Sequence, residues 1–91
     1  MKQDTISAQV SLYPLRQSHL GPAISRVTDV LRASGLDVRS GTMSTVVVGD
    51  AGKVFDCLKE SFRSAAAVGD VVMVVSFSNC CPVTPAEQHT A

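Results

Sequence analysis

From Thr5 to Tyr13 apolar and polar residues alternate. Ile6, Ala8, Val10 and Leu12 fall on one side, and Ser7, Gln9, Ser11 and Tyr13 on the other. Successive side chains of a strand leave opposite faces, so this period of two predicts a strand with one buried face. Pro14 cannot donate to a ladder, which predicts the strand's end there. "RQSHL" reads as a loop, and then the period changes. Ile24, Val27, Val30, Leu31 and Ser34 recur at helical spacing, with Arg26, Asp29 and Arg32 elsewhere on the wheel. This predicts a helix over Gly21–Ser34, with Ser18 as candidate N-cap, Pro22 in the first turn and Gly35 as the stop.

"LDVRSGTMSTVVVG" predicts two further strands, Asp37–Ser40 and Ser44–Val48, joined as a hairpin around Gly41. A second helix is expected over Asp50–Val68, with Val54, Phe55, Leu58, Phe62 and Ala65 on one side and Gly69-Asp70 closing it. Val71–Ser78 reads as the last strand, followed by a loose tail marked by Pro82 and Pro85. Strand, helix, strand, strand, helix, strand with right-handed crossovers predicts an α+β, ferredoxin-like βαββαβ sandwich. Its four-stranded antiparallel sheet would carry both helices on one face. One domain over residues 5–79 is expected, with residues 80–91 a partly flexible C-terminal tail.

The last strand adds something. Val71, Met73, Val75 and Phe77 point one way, Val72, Val74, Ser76 and Ser78 the other, so both faces are apolar where it begins. An antiparallel sheet with one wet face should alternate more cleanly. A chain of 91 residues also buries only about 60–65% of its extended surface. Cover from a second subunit is the simplest remedy, which predicts a homodimer or homotetramer.

Charge excludes several classes. Eight Lys+Arg balance eight Asp+Glu without segregation, so the basic footprint of nucleic-acid binding is missing. The longest apolar run, Val71–Val75, is far below the ~20 residues of a membrane span. The N-terminus "MKQDTISAQV" lacks the apolar stretch of a signal peptide. A cytoplasmic protein without membrane or nucleic-acid partners is expected. Cys57, Cys80 and Cys81 are odd in number and fit neither redox nor zinc spacing. The vicinal pair has no role legible in the sequence.

"VVVGDAGKV", Val46 to Val54, superficially resembles a phosphate cradle. That cradle needs four residues between its glycines and a hydroxyl after the lysine. Here Gly49 and Gly52 are separated by two residues, and Val54 stands in the hydroxyl position. A helix start with Asp50 as N-cap accounts for the stretch. His19, directly after Ser18, lies in a loop and His89 in the tail. No pattern points to catalysis, a metal or a cofactor.

Neutral hydrogen-bonding side chains do cluster on strands. Gln9, Ser11 and Tyr13 share a face of the first, Ser44 and Thr45 open the third, and Ser76, Ser78 and Asn79 close the fourth. The expected topology puts the first strand between the other two, so these groups can converge. Such a set suits a small, flat heteroaromatic ligand, because each ring nitrogen or amino group needs a partner. Tyr13 can stack on such a ring. The competing reading makes them the solvent-facing halves of alternating strands.

"SAQVSLYPL" (Ser7–Leu15), "GLDVRSGTMSTVVVGD" (Gly35–Asp50), Val54-Phe55 and "FSNCCP" (Phe77–Pro82) together resemble the YkoF-like thiamine-binding proteins. These are ferredoxin-like domains that bind thiamine or its hydroxymethylpyrimidine part, some with two copies per chain. The resemblance implies a non-catalytic cytoplasmic binder with a pyrimidine pocket, assembling through its sheets. By position Gln9, Ser11 and Tyr13 match the first-strand motif, Met43, Ser44 and Thr45 the central motif, and Asn79 the stretch after the last strand. Asp50 is either a helix cap or a partner for the thiazolium cation. With one domain copy, a paired arrangement requires separate chains. An oligomeric ferredoxin-like interaction module without a small molecule is the alternative.

Overall fold

A computed structural model describes residues 4–16, 19, 21–41 and 44–80. The elements are β1 (Thr5–Leu15), α1 (Gly21–Ala33), β2 (Asp37–Ser40), β3 (Thr45–Asp50), α2 (Ala51–Ala66) and β4 (Asp70–Ser78). The strands form one antiparallel sheet in the order β2-β3-β1-β4. This is the expected ferredoxin-like arrangement, with β1 between β3 and β4.

Register sorts the two faces, because directly paired residues share a side. Ala8 pairs with Val47 and Phe77, and Val10 with Thr45 and Val75. Ile6, Ala8, Val10 and Val47 are buried on this side, with Leu12, Met73 and Val75 packed at its margin. Helix α1 adds Ala23, Val27 and Leu31, and α2 adds Val54, Cys57, Leu58 and Ala65. Ser61 is fully buried too, and its hydroxyl donates to the Leu58 carbonyl at 2.9 Å. A short polar side chain bonded to its own helix leaves no unmet partner in the core.

The helix faces differ from expectation. Ile24, Phe55 and Phe62 lie outside the core at 45%, 54% and 42% exposure. The buried stripes are instead Ala23-Val27-Leu31 and Val54-Cys57/Leu58-Ser61-Ala65. Small residues at Ala23, Cys57 and Ser61 turn toward the neighbouring layer, and the bulky apolar residues fall to the flanks. Phe55 finds a partner there, stacking on Phe77 of β4 with centroids 4.5 Å apart and planes 22° from parallel.

Pro14 does not end β1. It continues the strand opposite Val71, while the β3 pairing stops at Val10. Beyond Val10 one side of β1 is therefore an edge, where a missing N–H costs no ladder bond. The strand ends at Arg16 instead, whose φ of 53° leaves the extended region. Strand β3 likewise starts at Thr45 rather than Ser44 and runs on to Asp50. Gly35 stops α1 as expected, with a φ of +80° that side chains rarely adopt. The candidate cap Ser18 lies outside the described residues.

Asp50 caps α2: its carboxylate accepts the Lys53 N–H at 3.2 Å. Asp50→Ala should lower the unfolding free energy by about 1 kcal/mol. In a thermal melt followed by circular dichroism, that is a drop of roughly 4–8 °C in Tm.

Candidate functional site

Free of helices, the second sheet face carries Ser7, Gln9, Ser11 and Tyr13 from β1. Beside them lie Val46 and Val48 of β3 and Val72, Val74, Ser76 and Ser78 of β4, all fixed there by register. One cross-strand row runs Arg39, Val46, Gln9, Ser76. Three strand spacings make it about 14 Å long, the scale of a two-ring ligand.

At the centre of this face the Gln9 side-chain amide donates to Ser44 Oγ at 3.0 Å. Ser44 is held by the hairpin preceding β3, where its carbonyl accepts the Gly41 N–H at 2.7 Å. This places two groups side by side, since the pairing uses the amide N–H and leaves the Gln9 carbonyl as a free acceptor. The Ser44 hydroxyl keeps its own proton to donate. An acceptor next to a donor complements a ring that presents an amino group beside a ring nitrogen.

Ser11 flanks the pair on β1, and Ser76 lies opposite Gln9 on β4. Tyr13 shares the face but stands four residues from Gln9, about 13 Å along the strand. Its neighbours there are Val72 across the pair, Val74 diagonally and Leu15 two residues on along β1, all exposed and apolar. The face is thus polar at its centre and apolar at one end. In a single chain it is open, with Tyr13 and Val74 about half exposed at 51% and 52%.

The other predicted residues fall elsewhere. Thr45 pairs with Val10 and Ser40 and points to the helix side. Asp50 is occupied at the helix cap. Ser78 is on the open face, but its hydroxyl accepts the Cys80 N–H at 3.2 Å and reaches the Cys80 carbonyl at 3.1 Å. Asn79 is exposed just past β4. Met43 lies outside the described residues.

Two further features, one on this face and one away from it, were absent from the expected set. Asp37 and Arg39 of β2 form a surface ion pair at 3.4 Å beside Val48 and Val46, worth little to stability. On the opposite side of the molecule, a shallow groove of about 480 Å³ runs between α1 and α2, lined by Val30, Ala33, Ser34, Lys53, Asp56, Cys57 and Glu60. Burial pushes the Cys57 thiol up from its ordinary pKa, so it is not poised as a nucleophile. Among the described residues no group of three or more His, Cys, Asp or Glu is placed to hold a metal ion. No described helix is long and apolar enough to cross a membrane.

Comparison with known proteins adds to this geometry. The family model described as the YKOF-related Family matches residues 5–84. No curated protein is similar enough in sequence to match. Among solved structures, a hypothetical protein from Methanocaldococcus jannascii superposes with a TM-score of 0.81 at 21% identity, over 96% of this chain and 94% of that one. A Thermotoga maritima protein, provisionally assigned to thiamine biosynthesis/salvage, gives 0.79 at 18% identity, over 94% and 96%. A domain of unknown function from Bacillus cereus gives 0.78 at 18%, over 93% and 86%. At such identities these structures share the fold with this chain.

Proposed function

Because the chain belongs to the YKOF-related family, we propose that it is a non-catalytic binding protein for thiamine or its hydroxymethylpyrimidine moiety, serving uptake or salvage of the vitamin's precursors. The observation that carries this reading is the Gln9–Ser44 pair at the centre of the open face. The aminopyrimidine's amino group donates to the Gln9 carbonyl, and the adjacent ring nitrogen accepts from the Ser44 hydroxyl. Ser11 and Ser76 serve the remaining polar edge, and the valines of β3 and β4 take the ring's faces. The name of the Thermotoga maritima neighbour points the same way.

An exposed face binds a small ligand poorly, because water competes for every donor and acceptor. The site therefore works in a cytoplasmic homodimer or homotetramer, in which a second layer lies over the patch of Tyr13, Leu15, Val72 and Val74 and walls in the polar centre. Large exposed side chains on one continuous patch favour such cover.

Calorimetric titration of the purified protein with hydroxymethylpyrimidine and with thiamine tests the reading. Saturable heat with one or both is expected. Absence of heat with either would favour an interaction module of the same fold that holds no small molecule.

A further inference from the structure

Charge is scarce on the open face, and its placement gives a ligand there a direction. Among the described strand residues, register assigns four charged ones to this side: Asp37, Arg39, Asp50 and Asp70. Asp50 is held at the cap of α2. Asp70 lies opposite Leu15 and pairs with Arg16, about 20 Å along the sheet from Gln9. Asp37 and Arg39 of β2 stand much nearer the Gln9–Ser44 pair. Arg39 shares the row of Gln9 with Val46 between them, two strand spacings or about 10 Å away.

These two charges hold each other loosely. Arg39 donates from Nε to Asp37 Oδ1 and from Nη2 to Oδ2, each at 3.4 Å, against about 2.7–2.9 Å for a well-made charged bond. Both side chains are about half exposed. Water screens such a contact, so it opens at little cost to a better partner. A guanidinium also presents a fork of N–H donors that fits a phosphate at two points, and Asp37 leaves part of that fork unused.

We propose that the ligand of this face is the phosphate monoester of thiamine, with its phosphate on Arg39 and its thiazolium beside Asp37. This deepens the proposed function and rests on its reading of the face as an aminopyrimidine site. The pyrimidine stays on Gln9 and Ser44, the thiazolium crosses Val46, and the esterified arm reaches β2. Other directions offer no counter-charge near the pair. Towards β4 the row ends at Ser76. Along β1 it runs to Ser7 one way and to Tyr13 and Leu15 the other, where a phosphate would lose water without gaining a partner.

The signs favour the ester in particular. Asp37 and Arg39 are together neutral, so a ligand with only a cation, or only an anion, is drawn to one and repelled by the other. The ester carries a thiazolium and a phosphate on one short arm. It meets each member of the pair with the opposite charge.

Calorimetry of the wild-type protein and of Arg39→Gln tests this with four probes: hydroxymethylpyrimidine, thiamine, thiamine monophosphate and inorganic phosphate. The wild type should bind the ester about tenfold or more tighter than thiamine, as expected of hydrogen bonds to a charged group. Inorganic phosphate should give no heat over the same concentrations. Arg39→Gln should erase the ester's advantage while the hydroxymethylpyrimidine affinity and the melting temperature hold. Equal wild-type affinity for ester and thiamine would overturn the proposal and leave the pyrimidine site intact, as would an ester advantage that survives Arg39→Gln. An equal loss for every ligand in Arg39→Gln would make Arg39 merely structural, and inorganic phosphate binding as tightly as the ester would make it a general anion site. Either result also overturns the proposal. Silence with hydroxymethylpyrimidine, thiamine and the ester alike would remove the pyrimidine reading itself.

Discussion

Leu31→Ala is expected to lower the unfolding free energy by about 2–5 kcal/mol, the range for truncating a large buried side chain. Leu31 is fully buried in the core cluster. Its loss removes apolar transfer energy and leaves a cavity that rigid neighbours fill only in part. Domains of this size are stable by only about 5–15 kcal/mol, so a large fraction of the total is at stake. Ile24→Ala is the matched control. It lies on the same helix and on the same apolar wheel face by sequence, yet is 45% exposed, and should cost under about 1 kcal/mol. Urea unfolding of both variants makes the comparison, and equal costs would mean that α1 buries a different stripe.

Gln9→Leu is expected to weaken hydroxymethylpyrimidine binding by about 1–3 kcal/mol, or roughly 5- to 150-fold. The substitution keeps the length of the side chain and removes the carbonyl proposed to accept from the amino group. It also frees Ser44 from its 3.0 Å partner, so the donor beside it loses its fixed position. Gln9 is exposed, and stability should change by less than about 0.5 kcal/mol, which separates lost binding from lost folding. Thr45→Val should leave the affinity unchanged, since Thr45 points to the helix side with Val10. Calorimetry on the two variants reads both outcomes. A binding loss for Thr45→Val with none for Gln9→Leu would move the site to the other face.

The strands were legible where one face is polar. The alternation in β1 assigned every residue from Ile6 to Tyr13 to its observed side, and the order of elements then constrained the sheet to one familiar topology. In β3 the same reasoning had no purchase, because Val46, Val47 and Val48 are apolar on both faces. Ser44 and Thr45 therefore looked like one cluster, although neighbouring strand residues point to opposite sides. Only register separates them, and register is also what brings Ser44 to Gln9 across 35 positions of sequence. In the helices, hydrophobicity alone favoured Ile24, Phe55 and Phe62. Close packing rewarded the smaller residues Ala23, Cys57 and Ser61 instead, and the wheel cannot show how near the neighbouring layer lies. Pro14 was misplaced for a related reason: its tolerance depends on where β3 stops.

The central claim is that neutral polar groups on the uncovered sheet face hold a planar aminopyrimidine. Isotope-labelled protein titrated with hydroxymethylpyrimidine, and followed residue by residue by NMR, tests it most directly. The largest shifts are predicted at the Gln9 side-chain amide and at the backbone of Ser11, Ser44 and Ser76, with α1 and α2 unmoved. Saturable shifts confined to the groove around Val30, Lys53 and Cys57, with Gln9 and Ser44 silent, would contradict it.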